Sequence, residues 1–154
     1  MGQQQLLLLV LATVVVGLAT VAGIEAFDQG KSQAANDALT QKALSIAADI
    51  QAQAQKPEQF GGIDLSSASS ASSVANSIGY ENASGIEASG AGEGATCTVK
   101  STTTETRSGV SVACAGGNAN TKVTANVLVD GGSGDSKDGD TRPDVVTTYG
   151  TGTV

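Results

Sequence analysis

The hydrophobic pattern of this chain changes period twice. From Leu6 to Ile24 it runs for 19 residues without a charge, and a helix of that length rises roughly 28 Å, the thickness of a bilayer's hydrocarbon core. Beyond Phe27-Asp28-Gln29-Gly30 comes KSQAANDALTQKALSIAADIQAQAQ. Its apolar positions Ala35, Leu39, Ala43, Ile46, Ile50 and Ala54 recur at spacings of 4, 4, 3, 4 and 4, which places them on one face of a helix. Lys31, Asp37, Lys42 and Asp49 fall mainly off that stripe. Gly30 marks a place where the rod can kink, since glycine costs about 1 kcal/mol in a helix interior. Pro57 ends it, because the residue before a proline is pushed out of the helical region. The pattern predicts one rod from about Gln3 to Gln55, roughly 80 Å long, apolar all round in its first half and amphipathic in its second.

KPEQFGG then reads as a turn. In IDLSSASSASSVANSIGY the residues Leu65, Ala68, Ala71, Ala75 and Ile78 return to helical spacing. They predict a short helix over about 64–78, with Asp64 as N-cap and Gly79 as C-cap; the competing reading is a serine-rich linker. Residues 81–94 read as a loop carrying Asn82-Ala83-Ser84, an N-glycosylation acceptor tripeptide. From Thr96 the period becomes two. TCTVKSTTT, SGVSVACA, TKVTANVLVD and PDVVTTYG alternate Val, Thr and Tyr between Gly, Asn and Asp clusters, predicting three or four antiparallel strands.

The fold class that follows is α+β: a long N-terminal α-helix, apolar then amphipathic, plus a small C-terminal antiparallel β-sheet head. The organisation reads as a helix over 1–55 (1–27 the membrane or filament-core segment, 31–55 the amphipathic part), a connecting region over 56–94, and the β head over 95–154. A hairpin turning through Glu105–Ser108 brings Cys97 opposite Cys114, the two cysteines of the chain. One disulfide closing a loop of about 18 residues would stabilise the head by roughly 3 kcal/mol; the competing reading is two buried free thiols, which would fit a cytosolic chain better.

Composition narrows the function. The 154 residues carry a net charge of −7, which disfavours nucleic acid, since phosphates are neutralised by a basic stripe. There is no histidine, no nucleophile elbow and no phosphate-binding glycine loop ahead of a helix, so nothing points to an enzyme. No Lys or Arg precedes the apolar run, unlike the basic n-region of a secretory signal, and the segment is expected to be retained. One candidate ion site remains: Asp130, Asp135, Asp138, Asp140 and Asp144 place five carboxylates within 15 glycine-rich residues. Calcium takes six to eight hard oxygens, but the spacing is not that of an EF-hand, and a solvated acidic turn is the competing reading. No other cofactor is expected.

The opening GQQQLLLLVLATVVVGLATVAGIEAF, running into the amphipathic AADIQAQAQKPEQFGG, resembles the type IV pilin and pseudopilin superfamily, in particular pilin-like proteins that open with GQQQLLL. The resemblance covers about the first 62 residues, and the rest matches in architecture. It implies a subunit held in the inner membrane before assembly, a prepilin peptidase, an assembly machinery, and an extracellular filament made of copies of the chain. Leu6, Leu9, Val10, Val14 and Val16 would then pack in the filament core. So would Leu18, Val21 and Ile24, with the small Ala12, Gly17, Ala19, Ala22 and Gly23 letting helices approach closely.

Two departures accompany the likeness. Typical members carry a short basic leader ending in Gly; here the alternatives are a chain already processed from Met1 or a two-residue leader cut after Gly2. They also have an acidic residue where this chain has Gln5, thought to meet a neighbour's N-terminal amine. Gln5 offers an amide oxygen at that assembly contact without the cost of burying a charge. The alternative function is a membrane-anchored minor pseudopilin of a secretion system, or a single-pass tethered surface protein.

Overall fold

The computed structural model describes residues 2–65, 70–103, 107–130 and 144–150. Helix α1 spans Gly2–Ala54, a 53-residue rod about 80 Å long. It runs through Gly30 without a break, so the expected weak point is carried by the helical ladder on either side. Its stripe is the predicted one with one addition: Ala35, Leu39, Ala43, Ile46, Ala47 and Ile50 are buried, and Ala54 is half-buried against the same core.

A left-handed Gly61, at φ 82°, follows the single 3-10 turn Glu58–Phe60. A side chain at Gly62 would collide with the carbonyl of Lys56, so glycine is required where the chain doubles back. The Ile63 amide then donates to the Gln53 carbonyl at 3.3 Å, and Ile63 and Leu65 are buried. This pinning overturns one expectation. Asp64 does not cap a helix: the short helix α2 spans Ala71–Ser77, and the side chain of Ser70 accepts from the Ser73 amide instead. Residues 64 and 65 sit in the segment drawn onto the core, outside any helix. Ile78 is the C-cap, with Gly79 after it at φ 90°. The Tyr80 amide bonds the Ala75 carbonyl and the Gly79 amide the Asn76 carbonyl, the two bonds of a Schellman ending.

The head is one antiparallel sheet in the order β1-β2-β3-β4-β5. Its strands are β1 (Ile86–Glu87), β2 (Thr96–Thr103), β3 (Arg107–Ala115), β4 (Lys122–Asp130) and β5 (Asp144–Gly150). The four long strands are those expected from the period-two pattern. The two-residue β1 lies in the stretch expected to be loop, and it is too short to carry a pattern of its own; Ile86 enters the sheet by pairing opposite Cys97.

Register aligns one face of the sheet. Cys97 pairs with Cys114 and Cys114 with Val123; Val99 pairs with Val112 and Val112 with Ala125; Val110 pairs with Val127. All eight are buried. Helix α1 lies across β3, β4 and β5 on this face, while α2 lies against β2. Cys97 and Cys114 form a disulfide, with Cα atoms 4.0 Å apart.

The interior is built from Ala, Val, Ile, Leu and this disulfide, with no buried polar residue among those described. Polar contacts tie its margin instead. The Asn36 amide donates to Asn120 Oδ1 at 3.0 Å while the Thr121 hydroxyl donates to Asn36 Oδ1 at 2.8 Å. Lys42 Nζ donates to the Tyr80 hydroxyl at 3.2 Å and lies 5.5 Å from its ring centroid. These contacts join the rod to the β3–β4 connection and to the segment after α2. Everything N-terminal to about Ser32 projects beyond the head.

Candidate assembly surface

Every residue from Gly2 to Lys31 is exposed. The large apolar side chains from Leu6 to Phe27 are each 54–69 % exposed, which is all that their own helical neighbours leave uncovered. Leu6, Leu9, Val10, Val14, Val16, Leu18, Val21 and Ile24 all lie on this surface, together with Gly17 and Gly23. They surround the rod on every side, since 3.6 residues complete a turn. At the C-terminal end of this surface Asn120 of the head shares a shallow concavity with Val21 and Ile24, which nevertheless stay exposed.

The segment is also complete in its hydrogen bonding. Between Leu6 and Ile24 the only polar side chains are Thr13 and Thr20. The Thr13 hydroxyl donates to the Val10 carbonyl at 2.8 Å, and the Thr20 hydroxyl reaches the Val16 and Gly17 carbonyls, each at 2.9 Å. With the backbone bonded along the helix, this surface asks nothing of water. Such a helix is at home in hydrocarbon or against other apolar helices. It is the one helix among the described residues long and apolar enough to cross a membrane, with a mean hydropathy of 2.7 over 18 residues.

The missing side chains of Gly17 and Gly23 clear no contact among the described residues. A Cβ at either would meet nothing within 4 Å, and each glycine weakens the helix by about 1 kcal/mol relative to alanine. Small residues on an apolar helix leave room for another helix to approach the backbone closely.

The remaining residues singled out from sequence are not drawn together. Gln5 is exposed near the free end of the rod. Asn82 and Ser84 are exposed in the turn ahead of β1, far along the chain from the apolar surface. Asp135, Asp138 and Asp140 lie outside the described residues; Asp130 ends β4 and Asp144 begins β5. Among the described residues no three His, Cys, Asp or Glu side chains gather as metal ligands would.

Two positions were missed. Phe27 is 67 % and Phe60 80 % exposed, although they are the only phenylalanines in the chain. A signal existed for Phe27, which falls off the stripe of α1 as it continues backward by threes and fours through Ser32, Asp28 and Glu25; Phe60 lies beyond that helix, in the 3-10 turn. The Lys31 ammonium lies 5.6 Å from the Phe27 ring centroid. Beside that ring a shallow groove follows Val16, Ala19, Thr20, Gly23 and Ile24 along the rod. No family model, curated protein or solved structure matches this chain.

Proposed function

We propose that this chain is the structural subunit of an extracellular type IV pilus-like filament, held together by packing of its apolar N-terminal helices. The observation that carries the reading is the exposed, fully hydrogen-bonded apolar half of α1, rigidly continuous with a helix that belongs to a folded head. Burying ~1,000 Å² of that surface per subunit contributes on the order of 25 kcal/mol before entropy costs. Because the rod projects from one end of the head, copies stack along it with a stagger, and repeated contacts of that kind extend without closing.

The bilayer is the reservoir. Leu6–Ile24 spans hydrocarbon as a single helix with its backbone satisfied, and the same surface is transferred to neighbouring helices on assembly. Extraction and processing would fall to an inner-membrane assembly machinery and a prepilin peptidase, as the likeness to pilins implies. The disulfide suits the oxidising exterior. The length and hydropathy of the segment also support a second reading, a minor pseudopilin or a tethered surface protein that stays in the membrane. Electron microscopy of material sheared from cells separates them. Long filaments composed of this chain are expected; recovery of the chain only in the membrane fraction would favour the anchor.

A further inference from the structure

Packing of the apolar rods makes no use of Asn82-Ala83-Ser84. Asn82 is the only asparagine of the chain followed two positions on by Ser or Thr, the pattern of an N-glycosylation acceptor. The fold presents the tripeptide with a particular alternation. Asn82 and Ser84 are exposed, while Ala83 between them is half-buried and packs against the core. The two side chains that the modification requires are thus outside, and the one it ignores is turned in. All three residues lie outside the helices and strands. A modifying enzyme can draw them into its own site by releasing one backbone bond, from the Val99 amide to the Ala83 carbonyl at 2.6 Å.

That bond also sets the tripeptide against the outer edge of β2. Strand β1 covers only Thr96 and Cys97 of this edge, and among the described residues no strand lies against Ser101–Thr103 on that side. A bulky, hydrophilic group beside an open edge opposes strand-to-strand association. A shallow concavity of about 330 Å³ runs from Tyr80 past Asn82 and Ser84 to Glu87, at the small end of ligand-sized clefts. The Tyr80 hydroxyl is already taken by Lys42. Lys42 lies 18 residues beyond Ile24, about 27 Å along the rod, so a group attached here leaves the apolar half free to pack or to span.

We propose that Asn82 carries an N-linked oligosaccharide, added by a membrane oligosaccharyltransferase from a polyprenyl-diphosphate-linked sugar donor. The carboxamide nitrogen of Asn82 attacks the anomeric carbon of the donor. The new C–N bond forms as the bond from that carbon to the diphosphate oxygen breaks. The polyprenyl diphosphate leaves with the electron pair, and one amide proton passes to a base of the transferase. The Ser84 hydroxyl is the group by which the acceptor is held. The inference requires only that the head face the exterior, which the Cys97–Cys114 disulfide suits, and it applies to a filament subunit and to a membrane anchor alike.

The test uses the full chain isolated from the cells that make it. Mass spectrometry of the peptide containing Asn82 should show the added mass of a sugar chain, with fragments that place it on the asparagine. Asn82→Gln and Ser84→Ala should each return the bare peptide, while Ser84→Thr, which keeps the hydroxyl, should retain the sugar. Both positions are exposed, so every variant should fold with the disulfide intact, read as the absence of free thiol. A wild-type peptide of bare mass, or a sugar that survives Asn82→Gln, would overturn the assignment. Loss from Ser84→Thr as complete as from Ser84→Ala would overturn the role given to the hydroxyl.

Discussion

Residues 6–24 and 35–50 of α1 are the same α-helical backbone in one uninterrupted rod, yet the first stretch is exposed on every side and the second lays a buried stripe against the sheet. The first has a mean hydropathy near that of a membrane span and the second alternates Ala, Leu and Ile with Lys, Asp and Gln. The more hydrophobic half is thus the one left outside. A helix buries within its own domain only the width that the domain's sheet can cover, about one stripe. A surface apolar all round needs partners on all sides, which one small head cannot supply. The amphipathic half is packed into the fold of the chain, and the apolar half is left uncovered by it.

Charge and cavity substitutions should break this contrast in opposite ways. Val16→Asp places a carboxylate in the middle of the apolar half, where a charge in hydrocarbon costs several kcal/mol per subunit. Sheared-filament yield should fall to nothing while the melting temperature of the head, measured by calorimetry on the full chain in detergent, stays at the wild-type value. Wild-type yield from this variant would discard the core-helix packing. Leu39→Ala acts on the other half. Leu39 is fully buried, and its truncation should cost about 2–5 kcal/mol, read as a lower melting temperature, with filaments still forming below it.

The disulfide is the next largest effect and lies wholly on the head's side of the comparison. Cys97→Ala with Cys114→Ala should destabilise the head by roughly 3 kcal/mol without changing how the rod partitions into membrane. An intact-mass measurement before and after reduction should show no free thiol in the native chain. Gly23→Leu sharpens the contrast further. The new side chain meets open space in the subunit and raises helix propensity by somewhat less than 1 kcal/mol, so the monomer should be no less stable. Filaments should nevertheless be fewer or shorter, because the close approach is lost; unchanged yield would mean that no neighbour comes near that position. Gln5→Ala should have the smallest effect. A neutral amide makes a weaker bond than a carboxylate with an amine, so assembly should drop only mildly, and complete loss would give Gln5 a steering role.

Much of this architecture was legible because its signals are periodic and local. The 4, 4, 3, 4, 4 spacing from Ala35 to Ala54 located the face that meets the sheet, and the alternation around Val99, Val112 and Ala125 located the face that meets the helix. Cys97 and Cys114 could be set opposite each other because a hairpin converts sequence distance into register. Residues 64–78 misled because helical spacing of Leu65, Ala68 and Ala71 says nothing of where the chain must first go. Ile63 is held by the Gln53 carbonyl and Leu65 is buried in the core, and the described helix is Ala71–Ser77, capped by Ser70.

By itself the sequence determined what each segment can tolerate as surroundings: an uncharged 19-residue run is incompatible with water, and a period-two stretch rich in Val and Thr favours a half-buried sheet. Which surroundings each segment receives was decided by the tertiary structure. The rod packs on β3, β4 and β5 through the buried stripe Ala35–Ile50, because the β head covers only one stretch of an 80 Å rod (~1.5 Å per residue); the Asn36–Asn120 and Lys42–Tyr80 contacts lie at the margin of that packing. The exposure of Phe27 and Phe60 follows from that placement. Phe27 could be placed outside from its position off the stripe of α1, whereas Phe60, beyond the helix, carries no such mark and is left uncovered by the turn at Gly61–Gly62.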